Sequence, residues 1–366
     1  MDHQRAHGYY PSFLWKDGER LPLPGNTHAD GGKTPEIYGP GATEKRRGNR
    51  DGKVTYAPDA MLAETLKFME ENRNRPMFIL FSTNLPHGPV DIPPAENKYA
   101  GHPAIRQAYA GAAGGNRECA GAAEEYASMV DKLDRQVGAI LAQVHKLGLE
   151  KRTIIVFSSD NGHELYYRTD KERGRGLNCH GGVLDGTGEL LDVFRGSRGL
   201  IGQKNAMVNL AGLKWTNHEG GIRVPLIVSW PGTVPHGKVC RSLVASYDHM
   251  ATFAELAGVG MPEGKDSVSY KNMLFGKPSS QRDYVVVDHT VITGDGWKLT
   301  HKQDKWLLFQ ISSDPEERHN LAETRKDQLE RLQAIYRKEA GSPRKDRQKP
   351  EQPRKTALFP PLAFAG

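Results

Sequence analysis

The order of apolar and polar positions along the chain predicts alternating strands and helices. A helix is predicted to begin at Pro58-Asp59 and to end near Asn72, because proline suits the first helical turn and aspartate favours the positive end of the helix dipole. The continuous apolar run over 77–81 lies between two prolines and predicts a short buried strand. A rigid loop that contains His87 follows this strand.

The same signals recur further along the chain. Apolar residues repeat at helical spacing over 126–147 and Gly148 follows as a stop signal, so this segment is predicted to be a helix. Apolar runs over 153–157 and 225–230 predict two more strands, and 248–256 predicts a helix. Strands that alternate with helices and end in polar residues are typical of a doubly wound α/β sheet, in which ligands gather at the carboxyl ends of the strands.

The pattern changes after residue 258, where short apolar segments are separated by turns. They predict a small antiparallel sheet closed by a helix, with strands over 284–287, 297–300 and 306–309 and a helix from 322 to 338. We therefore predict an incomplete α/β domain over 1–260 and an α+β subdomain over 261–340. Residues 341–366 are rich in proline, lysine and arginine, and are predicted to form a disordered basic tail.

Three stretches without a sustained period are predicted to be loops, namely 1–57, 101–123 and 163–212. Long loops in compact domains are usually functional or disordered. Because substrate specificity in enzymes commonly lies in variable loops, the last two stretches are the expected place for it, and the substrate itself is not readable.

Two polar segments after predicted strands carry candidate chemistry. Asp160 and Asn161 present a carboxylate and a carboxamide oxygen at one strand end, which are ligands that calcium or magnesium prefers. The alternative is an Asn-Gly turn with a solvated aspartate. His87 could donate a proton to a leaving group, or be a loop histidine without special duty.

The segment 214–225 adds charged groups and two adjacent glycines. Lys214 could place a cation on an anionic oxygen, and Arg223 could pair with Glu219. Surface salt bridges are the simpler account of each charge taken alone. The two glycines after Glu219 permit close approach of another backbone.

Overall charge and cysteine content narrow the function classes. The 366 residues carry a formal net charge of +6, which favours anionic partners, but the basic residues are scattered among acidic ones. A small anionic substrate or a polysaccharide therefore fits at least as well as nucleic acid. The three cysteines form no CxxC pair, which excludes zinc ribbons and thioredoxin-like chemistry. No apolar run is long enough to span a bilayer and no signal peptide follows Met1.

Together these motifs resemble the sulfatase family of the alkaline-phosphatase-like superfamily. The resemblance consists of Asp-Asn-Gly after an apolar strand, then Lys214, the block Glu-Gly-Gly-Ile-Arg-Val-Pro over 219–225, and Trp-Pro-Gly over 230–232. Pro86-His87 is similar to the family's histidine loop. Trp-Lys-Leu over 297–299 and the segment 314–322 are similar to its C-terminal subdomain.

The resemblance implies an alkaline-phosphatase-like α/β fold and a sulfuric ester hydrolase that uses calcium and a formylglycine nucleophile. Asp160 and Asn161 would be metal ligands. Lys214 would hold the sulfate and the bridging oxygen, and His87 would bind the sulfate and protonate the leaving alcohol. The implied substrate is a sulfate ester, which a sulfated carbohydrate would satisfy. A full-length parent that resembles the family would be periplasmic or extracellular.

The family's nucleophile motif, Cys/Ser-X-Pro/Ala-X-Arg, and its early pair of adjacent aspartates are absent from the sequence. We therefore expect a truncated sulfatase that lacks the formylglycine segment and is inactive alone. A non-catalytic protein that binds sulfated glycans through Lys214 and the arginines of 163–212 is the alternative. Phosphate-ester hydrolysis and nucleic-acid binding rank third and fourth among the hypotheses. His163, His218 and the cysteines have no assigned role.

Overall fold

The computed structural model describes residues 8–26, 55–87, 90–110, 117–162, 183–184, 190–191, 210–211, 214, 216–261, 263–277, 282–302 and 305–340. The chain divides into two compact units. The first comprises residues 1–240 and 249–279, and the second comprises 241–248 and 280–366. No helix in the described ranges combines the length and the apolar composition that crossing a bilayer requires. The predicted tail, 341–366, lies outside the described residues.

The first unit begins with a hairpin inside the stretch predicted to be loop with short extended pieces. Strands β1 (Phe13–Lys16) and β2 (Glu19–Pro22) pair in antiparallel register around Asp17-Gly18. Both turn residues have positive φ, 53° and 86°, which an Asp-Gly pair tolerates in a tight hairpin turn. Leu14 points inward and is fully buried beside Leu23 and Ala57. The hairpin is therefore attached to the helix that begins at Ala57.

The predicted helices of this unit are present, with one boundary changed. Helix α1 spans Ala57–Glu71, as predicted from Pro58. Helix α2 (Pro103–Ala110) and the first turns of α3 (Arg117–Lys146) lie within 101–123, so the prediction that this stretch is a loop was wrong. The many alanines of this stretch favour helix. The low complexity of its sequence led to the loop prediction instead.

A shared apolar cluster joins α1, α3 and the strand that follows them. It contains Met69, Val144 and Leu149, with Leu66, Met77, Ile140, Leu147 and Ile155 packed against it. Strand β3 (Ile155–Ser158) leaves this cluster and leads to Asp160. Packing in this cluster therefore fixes the position of β3, and with it the position of the polar residues that follow the strand.

The described sheet of this unit differs from the prediction. Strand β3 pairs with β6 (Leu226–Ser229), and the pair is antiparallel, whereas a doubly wound sheet is dominated by parallel pairs. The run 77–81 forms no regular secondary structure and pairs with no strand in the described residues, so the predicted buried strand is wrong. Phe78 and Leu80 are each 78% exposed. An apolar run predicts burial only when neighbouring strands cover it.

Shorter elements complete the first unit. Two-residue strands β4 (Val183–Leu184) and β5 (Leu190–Leu191) pair inside the predicted loop 163–212, most of which lies outside the described residues. Helices α4 (Glu219–Ile222), α5 (Asp248–Ala257) and α6 (Lys271–Leu274) follow. Cys240 is exposed and carries a free thiol.

The second unit contains the predicted antiparallel sheet and helix. Strands β7 (Tyr284–Val287), β8 (Thr290–Thr293), β9 (Trp297–Lys302) and β10 (Lys305–Gln310) form a meander in sequence order. Helix α7 (Lys326–Ala340) packs on it through a cluster that includes Val291, Leu299, Leu308, Leu332 and Tyr336. The sequence analysis did not predict β8 as a separate strand. The reason is that the turn that joins β7 to β8 at Asp288 is only two residues long.

An ion pair is fully buried in this unit. Lys298 on β9 and Glu317 lie 3.0 Å apart (Nζ to Oε1), and both side chains have 0% exposure. Glu317 adopts a positive φ of 49°, which holds its side chain toward the sheet. Removing one partner from a buried pair leaves an uncompensated charge, which is far costlier than losing an exposed pair.

We expect Lys298→Met to lower the free energy of unfolding of this unit by roughly 3–5 kcal/mol, because Glu317 is left buried without its cation. Urea unfolding followed by tryptophan fluorescence measures it. The control is Lys326→Met, which breaks an exposed pair with Glu323 and should cost less than about 1 kcal/mol. Equal midpoints for the two variants would contradict the prediction.

Candidate active site

A contact between glycines fixes the end of β3 against α4. The Gly162 N–H donates to the Gly221 carbonyl at 2.9 Å. A Cβ on Gly162 would lie 1.8 Å from the Gly220 oxygen and 2.9 Å from the Gly221 Cα. The two backbones are thus closer than any other residue at 162 allows. This approach requires the glycine of Asp-Asn-Gly.

Asp160 and Asn161 lie directly before this contact. Asp160 is exposed, and the Asn161 side chain donates from Nδ2 to the Gly162 carbonyl at 2.9 Å. The Ser159 hydroxyl donates to the Asn161 carbonyl at 2.8 Å. Because Nδ2 is engaged with the backbone, Oδ1 remains as the acceptor end of the carboxamide. A carboxylate and a carboxamide oxygen suit calcium in donor chemistry.

Two side chains are fewer than calcium requires. Calcium takes about six to eight oxygen ligands, so further oxygens would have to come from water, ligand or other protein groups. Within the described ranges, no three His, Cys, Asp or Glu side chains gather into a metal-binding group. Asp160 and Asn161 therefore fit part of a calcium site.

His87 ends a tight turn that begins at Asn84. The His87 N–H donates to the Asn84 carbonyl at 2.7 Å, and the Leu85–Pro86 peptide bond inside the turn is cis. Gly8 and Tyr9, the first described residues of the chain, also hold this turn. The Tyr9 hydroxyl lies within hydrogen-bond distance of the carbonyls of Asn84 and His87, and the Asn84 carboxamide donates to the Gly8 carbonyl at 3.1 Å.

The structure brings Lys214 to His87. The Lys214 Nζ lies 3.2 Å from the His87 Nε2, although 127 residues separate them in sequence. Which of the two nitrogens donates depends on the tautomer of the imidazole. Both side chains are partly buried. A cation and an imidazole at this spacing can together bind two oxygens of one tetrahedral anion.

The segment around α4 connects this pair to the strand end at Gly162. The Gly220 N–H donates to the Ala211 carbonyl at 2.6 Å, which closes a loop that contains Lys214. Lys214 is three residues from Ala211, a span of at most about 11 Å between their Cα atoms. Gly220 and Gly221 in turn contact Gly162. Lys214 therefore contacts His87, and the strand end that carries Asp160 and Asn161 contacts the same segment through Gly162.

The suggested pairing of Arg223 with Glu219 is confirmed. Arg223 Nη1 lies 3.6 Å from Glu219 Oε2, and the glutamate side chain is 4% exposed while the arginine side chain is 60% exposed. Glu219 lies in the first turn of α4, where a carboxylate is favoured. The pair holds the short helix that carries the two glycines.

This arrangement agrees with the comparison of the sequence to protein families. The family model described as Sulfatase matches residues 6–259, which is more than half of the chain. The chain belongs to the sulfatase family. A second model, N-sulphoglucosamine sulphohydrolase, C-terminal, matches residues 214–340, which include the described part of the second unit.

Curated relatives of this sulfatase-family chain are sulfatases of several kinds. An N-acetylgalactosamine-6-O-sulfatase of Bacteroides thetaiotaomicron is 26% identical over 226 residues, which is 56% of this chain and 39% of the relative. An arylsulfatase of Klebsiella aerogenes is 28% identical over 147 residues, 37% of this chain and 29% of the relative. The chain thus spans well under half the length of these relatives.

Solved structures support the alkaline-phosphatase-like sulfatase fold. The crystal structure of Ps i-CgsB matches with a TM-score of 0.56 at 24% identity, over 78% of this chain and 55% of that chain. The structure of BT4656 in complex with its substrate D-glucosamine-2-N,6-O-disulfate matches with a TM-score of 0.56 at 16% identity, over 92% of this chain and 76% of that chain. At these identities the likeness concerns the fold.

Sequence reasoning missed the residues that support the site. Tyr9 lies in a stretch predicted to be loop, and neither Tyr9 nor Asn84 was predicted to be a site residue. The only signal was a run of two tyrosines, Tyr9-Tyr10, in an otherwise polar stretch, which predicts burial against a neighbour. His163 lies outside the described residues, and His218 precedes α4 without capping it through its side chain.

We expect Gly162→Ala to destabilise the first unit by about 1–3 kcal/mol, because the added methyl group overlaps the Gly220 carbonyl and the backbones must separate. Urea unfolding measures the loss, and the Asp160 and Asn161 amide resonances report the local shift. The matched control is Gly138→Ala in α3, where a Cβ meets nothing within 4 Å. That change should be neutral or stabilising. A Gly162→Ala variant as stable as Gly138→Ala would contradict the close contact.

Proposed function

We propose that this chain binds a sulfate ester at His87 and Lys214 and provides the leaving-group half of a sulfuric ester hydrolase site. The observation that carries the proposal is the 3.2 Å contact between the Lys214 Nζ and the His87 Nε2. Lysine and histidine are both side chains that can donate hydrogen bonds to an anion. The two side chains can together bind two oxygens of one sulfate group.

The chemistry follows from the charge that the reaction creates. Cleavage of a sulfate ester leaves negative charge on the departing alcohol oxygen, so groups that donate to that oxygen lower the barrier. Lys214 binds a sulfate oxygen and the bridging oxygen. His87 in its protonated form gives its proton to the leaving alcohol. A protonated imidazole and an ammonium repel each other when they lie side by side. A sulfate anion bound to both groups offsets this repulsion and so favours the protonated ring.

Asp160 and Asn161 are proposed to hold calcium next to this pair. The support is the donor set, a carboxylate and a carboxamide oxygen at one strand end, and the Gly162 contact that attaches this strand end to the Lys214 segment. Bound calcium would neutralise charge on a sulfate oxygen. The protein side chains would orient the sulfate relative to that charge.

The nucleophile is the part that this sequence does not provide. None of Cys119, Cys179 and Cys240, and no serine, stands in the pattern Cys/Ser-X-Pro/Ala-X-Arg. The residues present therefore do not fit a formylglycine, and we derive no step through it. We propose that the 366-residue chain binds sulfate esters without turning them over. This absence is also what favours the second candidate, a non-catalytic protein for sulfated glycans.

The proposed ligand class is a sulfated carbohydrate. The support comes from similar proteins, which include an N-acetylgalactosamine-6-O-sulfatase and BT4656 in complex with its substrate D-glucosamine-2-N,6-O-disulfate. The charge of +6 on the chain is consistent with an anionic ligand.

Ligand binding is tested with Lys214→Met. We expect the affinity for glucosamine 6-sulfate, measured by calorimetry or NMR titration, to fall about 10-fold to 100-fold, because a charge-assisted hydrogen bond contributes ~1.5–3 kcal/mol. The control is Lys238→Met, an exposed lysine outside the site, which should bind as the unchanged chain does. Equal affinities for the two variants, or no binding by the unchanged chain, would contradict the proposal. Release of inorganic sulfate would contradict the claim of binding without turnover.

Calcium binding is tested with Asp160→Ala. Removal of the carboxylate should lower calcium affinity by at least about 10-fold, because the site then keeps one carboxamide oxygen. Calorimetric titration with calcium chloride measures it. Asp134→Ala is the control, since Asp134 is an exposed aspartate on α3. Unchanged affinity in Asp160→Ala would assign the ion to other residues.

A further inference from the structure

We propose that Tyr9 is the residue that positions His87 against Lys214. It contributes through its hydroxyl group, which holds the turn that carries the histidine. The meaning of this role for catalysis or binding rests on the proposed function, whereas the geometry that it sets can be measured without any ligand. Tyr9 is therefore a positioning residue and contacts the turn's backbone, not the reacting atoms.

The Tyr9 hydroxyl reaches both ends of the turn at once. Its oxygen lies 2.9 Å from the Asn84 carbonyl oxygen and within hydrogen-bond distance of the His87 carbonyl oxygen. A phenol has one hydrogen, so the two carbonyls share it. The first and the last residue of the turn are thus tied to one atom. This contact spans 75 and 78 residues in sequence, so it is made by the tertiary fold.

A second bond from the same side restrains the turn's first residue. The Asn84 carboxamide nitrogen donates to the Gly8 carbonyl at 3.1 Å. Gly8 and Tyr9 are adjacent, so two neighbouring residues hold the turn. Gly8 binds it through its carbonyl, and Tyr9 binds it through its side chain. The turn's own bond, from the His87 N–H to the Asn84 carbonyl at 2.7 Å, does not involve Tyr9. It should therefore survive without the hydroxyl.

Tyr9 itself is held rigidly. Its side chain is 1% exposed, and its ring stacks on Tyr56 with centroids 5.4 Å apart and an interplanar angle of 13°. Its carbonyl accepts the Ala57 N–H, in the first turn of α1, at 2.8 Å. A rigid donor transmits its position to the groups that it binds. Tyr9 therefore links the position of His87 to the start of α1.

The chain contains a matched control for this role. Tyr56 is also buried, at 4% exposed, and belongs to the same apolar cluster. Its hydroxyl donates to the Asp91 carbonyl at 2.9 Å, which is not part of the Asn84–His87 turn. Tyr9→Phe and Tyr56→Phe each remove one buried hydroxyl and keep the stacked rings. A purely structural role for Tyr9 predicts the same result for both.

The experiment measures the coupling between His87 and Lys214 in each background. The full chain is labelled at histidine, the His87 ring signals are assigned with His87→Asn, and their chemical-shift change on Lys214→Met is recorded by NMR. In the unchanged background the change should be large, because Nζ lies 3.2 Å from Nε2. In Tyr9→Phe we expect it to shrink by at least half. In Tyr56→Phe it should be retained.

Thermal unfolding of the two variants separates geometry from stability. We expect comparable losses of stability, and only Tyr9→Phe should lower the affinity for glucosamine 6-sulfate, by about threefold to tenfold. Equal coupling in the two tyrosine variants would overturn the proposal. Failure of the unchanged chain to bind the sugar, with the coupling still lost in Tyr9→Phe alone, would reject the proposed function and keep the role of Tyr9.

A second variant keeps the test decisive if Tyr9→Phe does not fold. Asn84→Ala removes the other bond of the grip, to Gly8, and leaves Tyr9 in place. It should reduce the coupling between His87 and Lys214 in the same direction by a smaller amount. Full coupling in Asn84→Ala, in a chain whose Tyr9→Phe variant is unfolded, would count as a structural role for Tyr9 and overturn the proposal.

Discussion

The site depends on the place where two backbones meet without side chains between them. Gly162 contacts Gly220 and Gly221 so closely that a single methyl group has no room. This approach sets the end of β3, with Asp160 and Asn161, against the segment that carries Lys214. The glycine of Asp-Asn-Gly therefore has a steric reason that is independent of any ligand.

Charge is handled differently at the site and in the second unit. Lys298 and Glu317 neutralise one another in complete burial, and so stabilise one arrangement of sheet and following segment. Lys214 is only partly buried, and its Nζ lies 3.2 Å from the His87 Nε2. At the site the lysine meets an imidazole, whereas in the second unit it meets a buried carboxylate.

The apolar residues of the first unit are covered unevenly. The cluster between α1, α3 and β3 is buried, whereas Phe78, Leu80 and Ile227 are exposed by 78%, 78% and 60%. Single exposed apolar residues are ordinary on protein surfaces. The same residues explain why the run 77–81 was predicted to be buried, since its composition is that of an interior strand.

The sequence by itself determined the helices α1 and α7 and three of the four strands of the second unit, and it nominated the four candidate residues, because helix signals, turn residues and short motifs are local. Only the tertiary structure decided that β3 and β6 run antiparallel, that 77–81 stays unpaired in the described residues, and that His87 meets Lys214 across 127 positions. It also showed that the Tyr9 hydroxyl contacts the turn that carries His87. Pairing and burial depend on partners distant in the chain, and the periodicity of a segment carries no information about them.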